Sequence, residues 1–226
     1  MSPSLINCQN LQHLDLSQNN LNGSIPLQLL GTSSLPLINI NLSHNSFMGK
    51  LPFEVGNLKN INEIDISNNN LSGEIPTSIG NCSILEYLYL QGNSFWGAIP
   101  SSMASLKGLR LLDVSQNNLL GPIPEGLEKL FFLENLNLSF NNFEGEVPIK
   151  GVFKNISAIS LIGNTKLCGG IQKLQLPKCP VNVMKPRKSI RFKHAIVIIS
   201  IVQFLLLFSS FIVWMKKSRK KSPSMV

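Results

Sequence analysis

The sequence predicts an α/β-type solenoid, with parallel β-strands along a concave face and short helical or 3-10 segments on the convex side, followed by one long apolar helix. Three observations carry that expectation. One pattern of apolar residues around an Asn returns along most of the chain. Within each copy, alternate apolar residues mark a short strand with one buried face. Near the end, Ala195–Met215 runs 21 residues without a charge.

Self-similarity along the chain constrains every other element. "LDLSQNNLNGSIP" begins at Leu14, and "INLSHNSFMGKLP", "IDISNNNLSGEIP", "LYLQGNSFWGAIP", "LDVSQNNLLGPIP" and "LNLSFNNFEGEVP" follow. The Asn closing each copy stands at Asn19, Asn45, Asn69, Asn93, Asn117 and Asn141, with spacings of 26, 24, 24, 24 and 24. A shortened copy, "ISAISLIGN", ends at Asn164. L-x-x-L-x-L-x-x-N-x-L at this period is the leucine-rich-repeat signature, in which each unit contacts only its neighbours. Residues 1–164 are therefore assigned to the repeats, and 165–180 to a C-terminal cap holding a Cys pair.

Each position has an expected role. In "LRLLDVSQNNLLGPIP", Leu109, Leu112, Val114, Leu119 and Ile123 should point inward and stack on their equivalents in adjacent coils. Asn117 is polar where the chain turns inward, and a buried amide needs its hydrogen bonds made. The recurring Asn (Asn19, Asn45, Asn69, Asn93, Asn117, Asn141 and Asn164) should form a structural ladder to backbone groups. Gly121 suits the bend that follows, and Pro124 is expected to cap a second short strand, since it lacks a donor.

The outward strand positions make the candidate binding surface. From coil to coil they read His13/Asp15, Asn39/Asn41, Glu63/Asp65, Tyr87/Tyr89, Leu111/Asp113 and Asn135/Asn137. Both tyrosines of the chain stand together on the fourth coil, and exposed aromatics are enriched among binding hot spots. Tyr87 and Tyr89, with neighbours Glu63, Asp65, Leu111 and Asp113, are the candidate ligand contacts; the alternative is that Tyr merely suits a strand.

Charge separates the chain in two. Residues 1–180 hold 10 Lys/Arg against 12 Asp/Glu, whereas 181–226 hold the other 10 basic residues and no acid. The basicity thus belongs to the tail, which argues against a nucleic-acid partner. Ala195–Met215 is long enough to cross a bilayer, with Trp214 at its border and "KKSRKK" immediately after. This delimits a basic juxtamembrane linker at 181–194, a transmembrane helix at 195–215 and a short basic cytoplasmic tail at 216–226. N-glycosylation sequons at Asn22, Asn41, Asn70, Asn81, Asn137 and Asn155 fit repeats outside the cell, in a single-pass plasma-membrane protein. The chain starts within a repeat, without an apolar leader. That is expected of a piece of a longer secreted chain or of a truncated product anchored by its late span.

The cysteines fall into two kinds. Cys8 and Cys82 hold equivalent positions three coils apart, about 14 Å, too far to bridge, and should be free and buried on the convex side. Cys168 and Cys179 both follow the last repeat, and a bridge between them would contribute about 3 kcal/mol on a loop-entropy basis. Two unpaired thiols remain the alternative.

Nothing here points to catalysis. Asp15, Asp65 and Asp113 share one column but lie two coils apart, without a nucleophile or base beside them. His13, His44 and His194 have no metal-ligand spacing, and no phosphate loop or kinase signature occurs. The chain is expected to be no enzyme and to need no cofactor.

These repeats resemble the plant-type leucine-rich repeat, L-x-x-L-x-L-x-x-N-x-L-x-G-x-I-P over 24 residues. "GEVPIKGVFKNISAISLIGNTKLCGGIQKLQLPKC" and the single span after it resemble the membrane-proximal end of plant receptor-like kinases, in particular the immune-receptor subfamily XII. The resemblance implies a membrane-anchored recognition module that binds an extracellular peptide or protein ligand on its concave face, in defence or development, with a co-receptor kinase ectodomain meeting its last repeats and cap. Two alternatives stay open. One is a non-signalling decoy or regulator that occupies a co-receptor. The other is a fragment of a serine/threonine receptor kinase whose catalytic domain lies on further sequence.

Overall fold

The computed structural model describes residues 8–31, 35–180 and 190–219, with side chains in the last segment described over 200–215. The chain forms two units, Met1–Cys179 and Pro180–Val226.

In the first unit each coil contributes one strand to each of two sheets. The concave sheet orders β1 (His13–Asp15), β3 (Asn39–Asn41), β5 (Glu63–Asp65), β7 (Tyr87–Tyr89), β9 (Leu111–Asp113), β11 (Asn135–Asn137) and β13 (Ile159–Ser160), all parallel. The second holds β2 (Asn22–Gly23), β4 (Ser46–Lys50), β6 (Asn70–Gly73), β8 (Ser94–Gly97), β10 (Asn118–Gly121), β12 (Asn142–Val147) and β14 (Lys166–Gly169). Parallel neighbours need a crossover, and here each crossover is one turn of the coil. The convex return is the helix α1 (Leu27–Gly31) in the first coil and five-residue 3-10 turns in the next four, such as Thr77–Asn81 and Glu125–Lys129.

Proline does its work at a different place from the one expected. Pro124 does not end β10, which stops at Gly121. It opens the convex turn, where its carbonyl accepts the first bond from Leu127 N–H at 3.1 Å. Pro52, Pro76 and Pro100 do the same for Val55, Ile79 and Met103. A fixed φ near −65° suits the position before a helical turn, and the missing N–H is not needed there.

The core is a stack of equivalent residues. Leu109, Leu112, Val114, Leu119 and Ile123 are all buried, as are their counterparts in neighbouring coils. Two residues past the ladder Asn, leucine and phenylalanine alternate: Leu21, Phe47, Leu71, Phe95, Leu119 and Phe143. Phe47, Phe95 and Phe143 are fully buried. A small layer between large ones lets successive coils interdigitate without voids. On the convex side the packing is backbone to backbone. A methyl at Gly80 would collide with the Ser102 carbonyl of the next coil.

The Asn side chains tie these layers together. Asn117 is 7% exposed. Its Nδ2 donates to Val114 O at 3.1 Å and Ser115 O at 3.0 Å in its own coil, and to Leu90 O at 3.0 Å in the coil before. Its Oδ1 accepts Phe95 N–H at 2.9 Å, again from the coil before. Asn45, Asn69, Asn93 and Asn141 repeat the arrangement, and Asn164 reaches Leu138 O and Phe143 N–H. Asn19 is exposed and, among the described residues, bonds to Leu16 O and Ser17 O of its own coil.

The cap follows. Cys168 and Cys179 are joined by a disulfide, with Cα atoms 4.9 Å apart. The bridge and the Gly169 N–H bond to Pro177 O fold the terminal segment back on β14. The two other cysteines differ from each other. Cys82 is buried, its thiol donating to Val55 O at 3.3 Å in the preceding coil. Cys8, expected to be buried, is exposed, because it lies in the first described coil and no described residue packs over it from that side.

In the second unit, α2 spans Ile190–Arg219, so the helix runs further at both ends than the apolar stretch 195–215. Arg and Lys are good helix formers, and extending the helix keeps backbone groups paired. Every side chain described in it, over 200–215, is exposed. Among the described residues, which in α2 include side chains over 200–215 alone, no helix is long and apolar enough to cross a membrane. Linker residues 181–189 and tail residues 220–226 lie outside the described residues.

Three outcomes are expected. Asn117→Ala leaves backbone groups of two coils unpaired and should cost about 2–4 kcal/mol in urea unfolding, against under about 1 kcal/mol for Asn19→Ala. Equal costs would refute the shared-amide account. Gly80→Ala should cost about 1–3 kcal/mol through overpacking, measured the same way. Burial pushes the Cys82 thiol up to about 11. In the native protein an alkylating reagent should therefore label Cys8 within minutes and Cys82 only after unfolding, as read by peptide mass spectrometry.

Candidate functional site on the concave face

The concave strands β1 to β11 are three residues long, with one inward residue between two outward ones, so each of these coils offers two side chains to the open face. Parallel register aligns them across coils. Glu63, Tyr87 and Leu111 form one row, and Asp65, Tyr89 and Asp113 the other. All six candidate residues are thereby brought together on three adjacent strands, and all six are half-buried. The flanking coils extend the rows with Asn39 and Asn41 on one side and Asn135 and Asn137 on the other.

The second row also has a structural duty that the sequence reading missed. Oδ1 of Asp15, Asp65 and Asp113 accepts the backbone N–H two residues on, from Ser17, Ser67 and Ser115, at 2.9 Å in each case. Asn41 and Asn137 do the same for Ser43 and Ser139. These are Asx turns that end each strand, and their signal was the recurrent Asp/Asn-x-Ser spacing. In Asp15 this bond holds the carboxyl below its ordinary range.

One coil departs from the rule. The fourth has Tyr89 in place of the Asx cap, Gln91 in place of the serine and Gly92 in place of the next residue. That next position is left-handed throughout: Gln18, His44, Asn68, Gln116 and Phe140 have φ between 51° and 54° there. Gln91 Oε1 is covered and accepts no hydrogen bond. Burial first, then the charges of Glu63, Asp65 and Asp113, pushes the Tyr89 phenol up.

Polar contacts tune the borders of the face. Asn39 Nδ2 donates to Glu63 Oε2 at 2.8 Å, and Asn137 Nδ2 to Asp113 Oδ2 at 3.0 Å. One residue before the strands, Arg110 bonds Glu134 at 2.8 Å and lies 4.0 Å from Glu86. The Glu134 bond and charge hold its guanidinium more firmly protonated. Arg110 and Glu134 are exposed and Glu86 is half-buried at the surface, so the pairs contribute little to stability.

The sequons divide by face. Asn22, Asn70, Asn81 and Asn155 are exposed. Asn41 and Asn137 lie on concave strands, with Oδ1 held by Ser43 and Ser139. Among the described residues no group of three or more His, Cys, Asp or Glu could hold a metal ion.

Comparison with known proteins agrees with this geometry. The model of a leucine-rich repeat region matches residues 1–219. The receptor kinase-like protein Xa21 of Oryza sativa subsp. japonica is 46% identical over 77 residues, 33% of this chain and 7% of Xa21. The crystal structure of PEPR1 with AtPEP1 superposes with a TM-score of 0.62 at 36% identity, covering 69% of this chain and 22% of that one. The Arabidopsis receptor kinase HAESA, in complex with the peptide hormone IDA and the co-receptor SERK1, gives 0.53 at 28%, covering 75% and 36%. The matches thus span well under two thirds of these relatives' own length. The repeats have the fold of a receptor ectodomain and not of a catalytic domain, and the chain belongs to the leucine-rich-repeat family, related in sequence to plant leucine-rich-repeat receptor kinases.

Proposed function

We propose that this chain is a membrane-anchored recognition module of a plant receptor-like kinase, binding a peptide or protein ligand on its concave face in defence or developmental signalling. The observation that carries it is the patch of Glu63, Asp65, Tyr87, Tyr89, Leu111 and Asp113, held in register on three strands and half-buried among the described residues. Tyr supplies rigid contact area at low entropic cost. The relatives solved with peptides, and HAESA with its co-receptor, support a peptide ligand and a co-receptor partner.

The repeats face the exterior in this reading and carry glycans at the exposed Asn22, Asn70, Asn81 and Asn155. Ala195–Met215 is the anchor. Its 21 uncharged residues reach about 30 Å as a helix, and apolar side chains stand exposed all round its described part. A helix apolar on every side is stable in lipid.

Panning a random-peptide display library against the full chain in lipid nanodiscs tests the binding surface. Enriched peptides are expected to bind the Tyr87→Ala/Tyr89→Ala chain about tenfold or more weakly, a change of about 1.4 kcal/mol. Enrichment that ignores both tyrosines rejects the site, and no enrichment rejects the reading.

A further inference from the structure

We infer that the concave face of the third to fifth coils takes its peptide through a Lys or Arg side chain, seated on Tyr87 and Tyr89 between Glu63, Asp65 and Asp113. This rests on the peptide-binding reading above and adds the chemistry of the ligand. The first ground is charge. At the outward positions of β1, β3, β5, β7, β9 and β11 there is no Lys or Arg, while Asp15, Glu63, Asp65 and Asp113 all stand there. Among the described residues these carboxylates have no cationic partner. Arg110, the nearest base in sequence, is engaged by Glu134 and Glu86.

The second ground is placement. Asp65 and Asp113 flank Tyr89 in its own row, and Glu63 flanks Tyr87 in the other. Adjacent strands lie about 4.8 Å apart, so a cation over the tyrosines has a carboxylate about one strand away on either side. An aromatic face attracts a cation, more so where water is partly excluded, as at these half-buried rings. Leu111, beside Tyr87, offers apolar footing for the stem of a long basic side chain. An acidic group seated there would be repelled by Glu63, Asp65 and Asp113.

The third ground is that coil four departs from the frame to build this place. It gives up the Asx cap for Tyr89 and leaves Gln91 Oε1 unpaired, both of which disfavour the fold locally. The acidic surface continues toward the first coils, through a cleft of about 240 Å³ lined by His13, Asp15, Asn39, Asn41 and Glu63. That cleft gives an extended peptide its direction.

The test takes a peptide enriched by the panning and its version with Lys or Arg replaced by Gln. Both are titrated against the wild-type chain and the Glu63→Gln/Asp65→Asn/Asp113→Asn chain. The amides keep an oxygen for the Ser67 and Ser115 caps, so the urea midpoint confirms that the fold is intact. Wild type should prefer the basic peptide about tenfold or more, and the triple variant should lose that preference. Enriched peptides without a basic residue, or a triple variant that still discriminates, overturn the charge assignment and leave tyrosine-dependent binding standing. Absence of any enriched peptide removes both.

Discussion

Asn at the turn serves two coils at once, and the solenoid depends on that sharing. Its amide closes the bend of its own coil through carbonyls two and three residues back. The same amide takes a carbonyl and an N–H from the coil before, as Asn117 does with Leu90 and Phe95. A backbone turning inward toward an apolar core would otherwise leave those groups buried and unpaired, at about 1–3 kcal/mol each. Coil-to-coil register is therefore set by hydrogen bonds with direction, while the Leu/Phe layers supply the non-directional part of the stabilisation.

Rigid register is what makes the concave face usable. Side chains two residues apart on a strand, and one strand apart across the sheet, stand at fixed spacing, so a pattern of side-chain types becomes a pattern in space. Most of the outer row is committed to ending strands, through Asp15, Asn41, Asp65, Asp113 and Asn137. Only the fourth coil gives that position to an aromatic side chain. A binding surface thus arises from small departures in a frame that the ladder holds constant, much as loops carry function on other scaffolds.

The second unit follows a different physics. In α2 no described side chain is covered, and Phe204 and Phe208, like Phe211 and Trp214, stack along the helix itself. Ser209 and Ser210 return their hydroxyls to the carbonyls of Leu206 and Leu207, which leaves them self-satisfied in an apolar stretch. Such a helix takes its stability from its own backbone bonds, whereas the repeats take theirs from neighbours.

Much was legible in the sequence because the repeat averages out local ambiguity. Six copies in register identified the strands, the inward residues and the ladder Asn, and the spacing of Cys168 and Cys179 indicated a bridge. Other features depended on what lies across from a residue. Pro124 opens the convex turn because β10 ends three residues before it, at Gly121, and the turn begins at Glu125. Cys8 and Cys82 share a sequence position yet differ in burial, since among the described residues a preceding coil packs over Cys82 and none over Cys8. The double duty of Asp65 and Asp113, the left-handed column at Gln116 and Phe140, and the gathering of six half-buried side chains into one patch came from register between coils. Periodicity along the chain determined which residues face inward; the partners of the outward ones were decided by packing between segments about 24 residues apart, which no local pattern encodes.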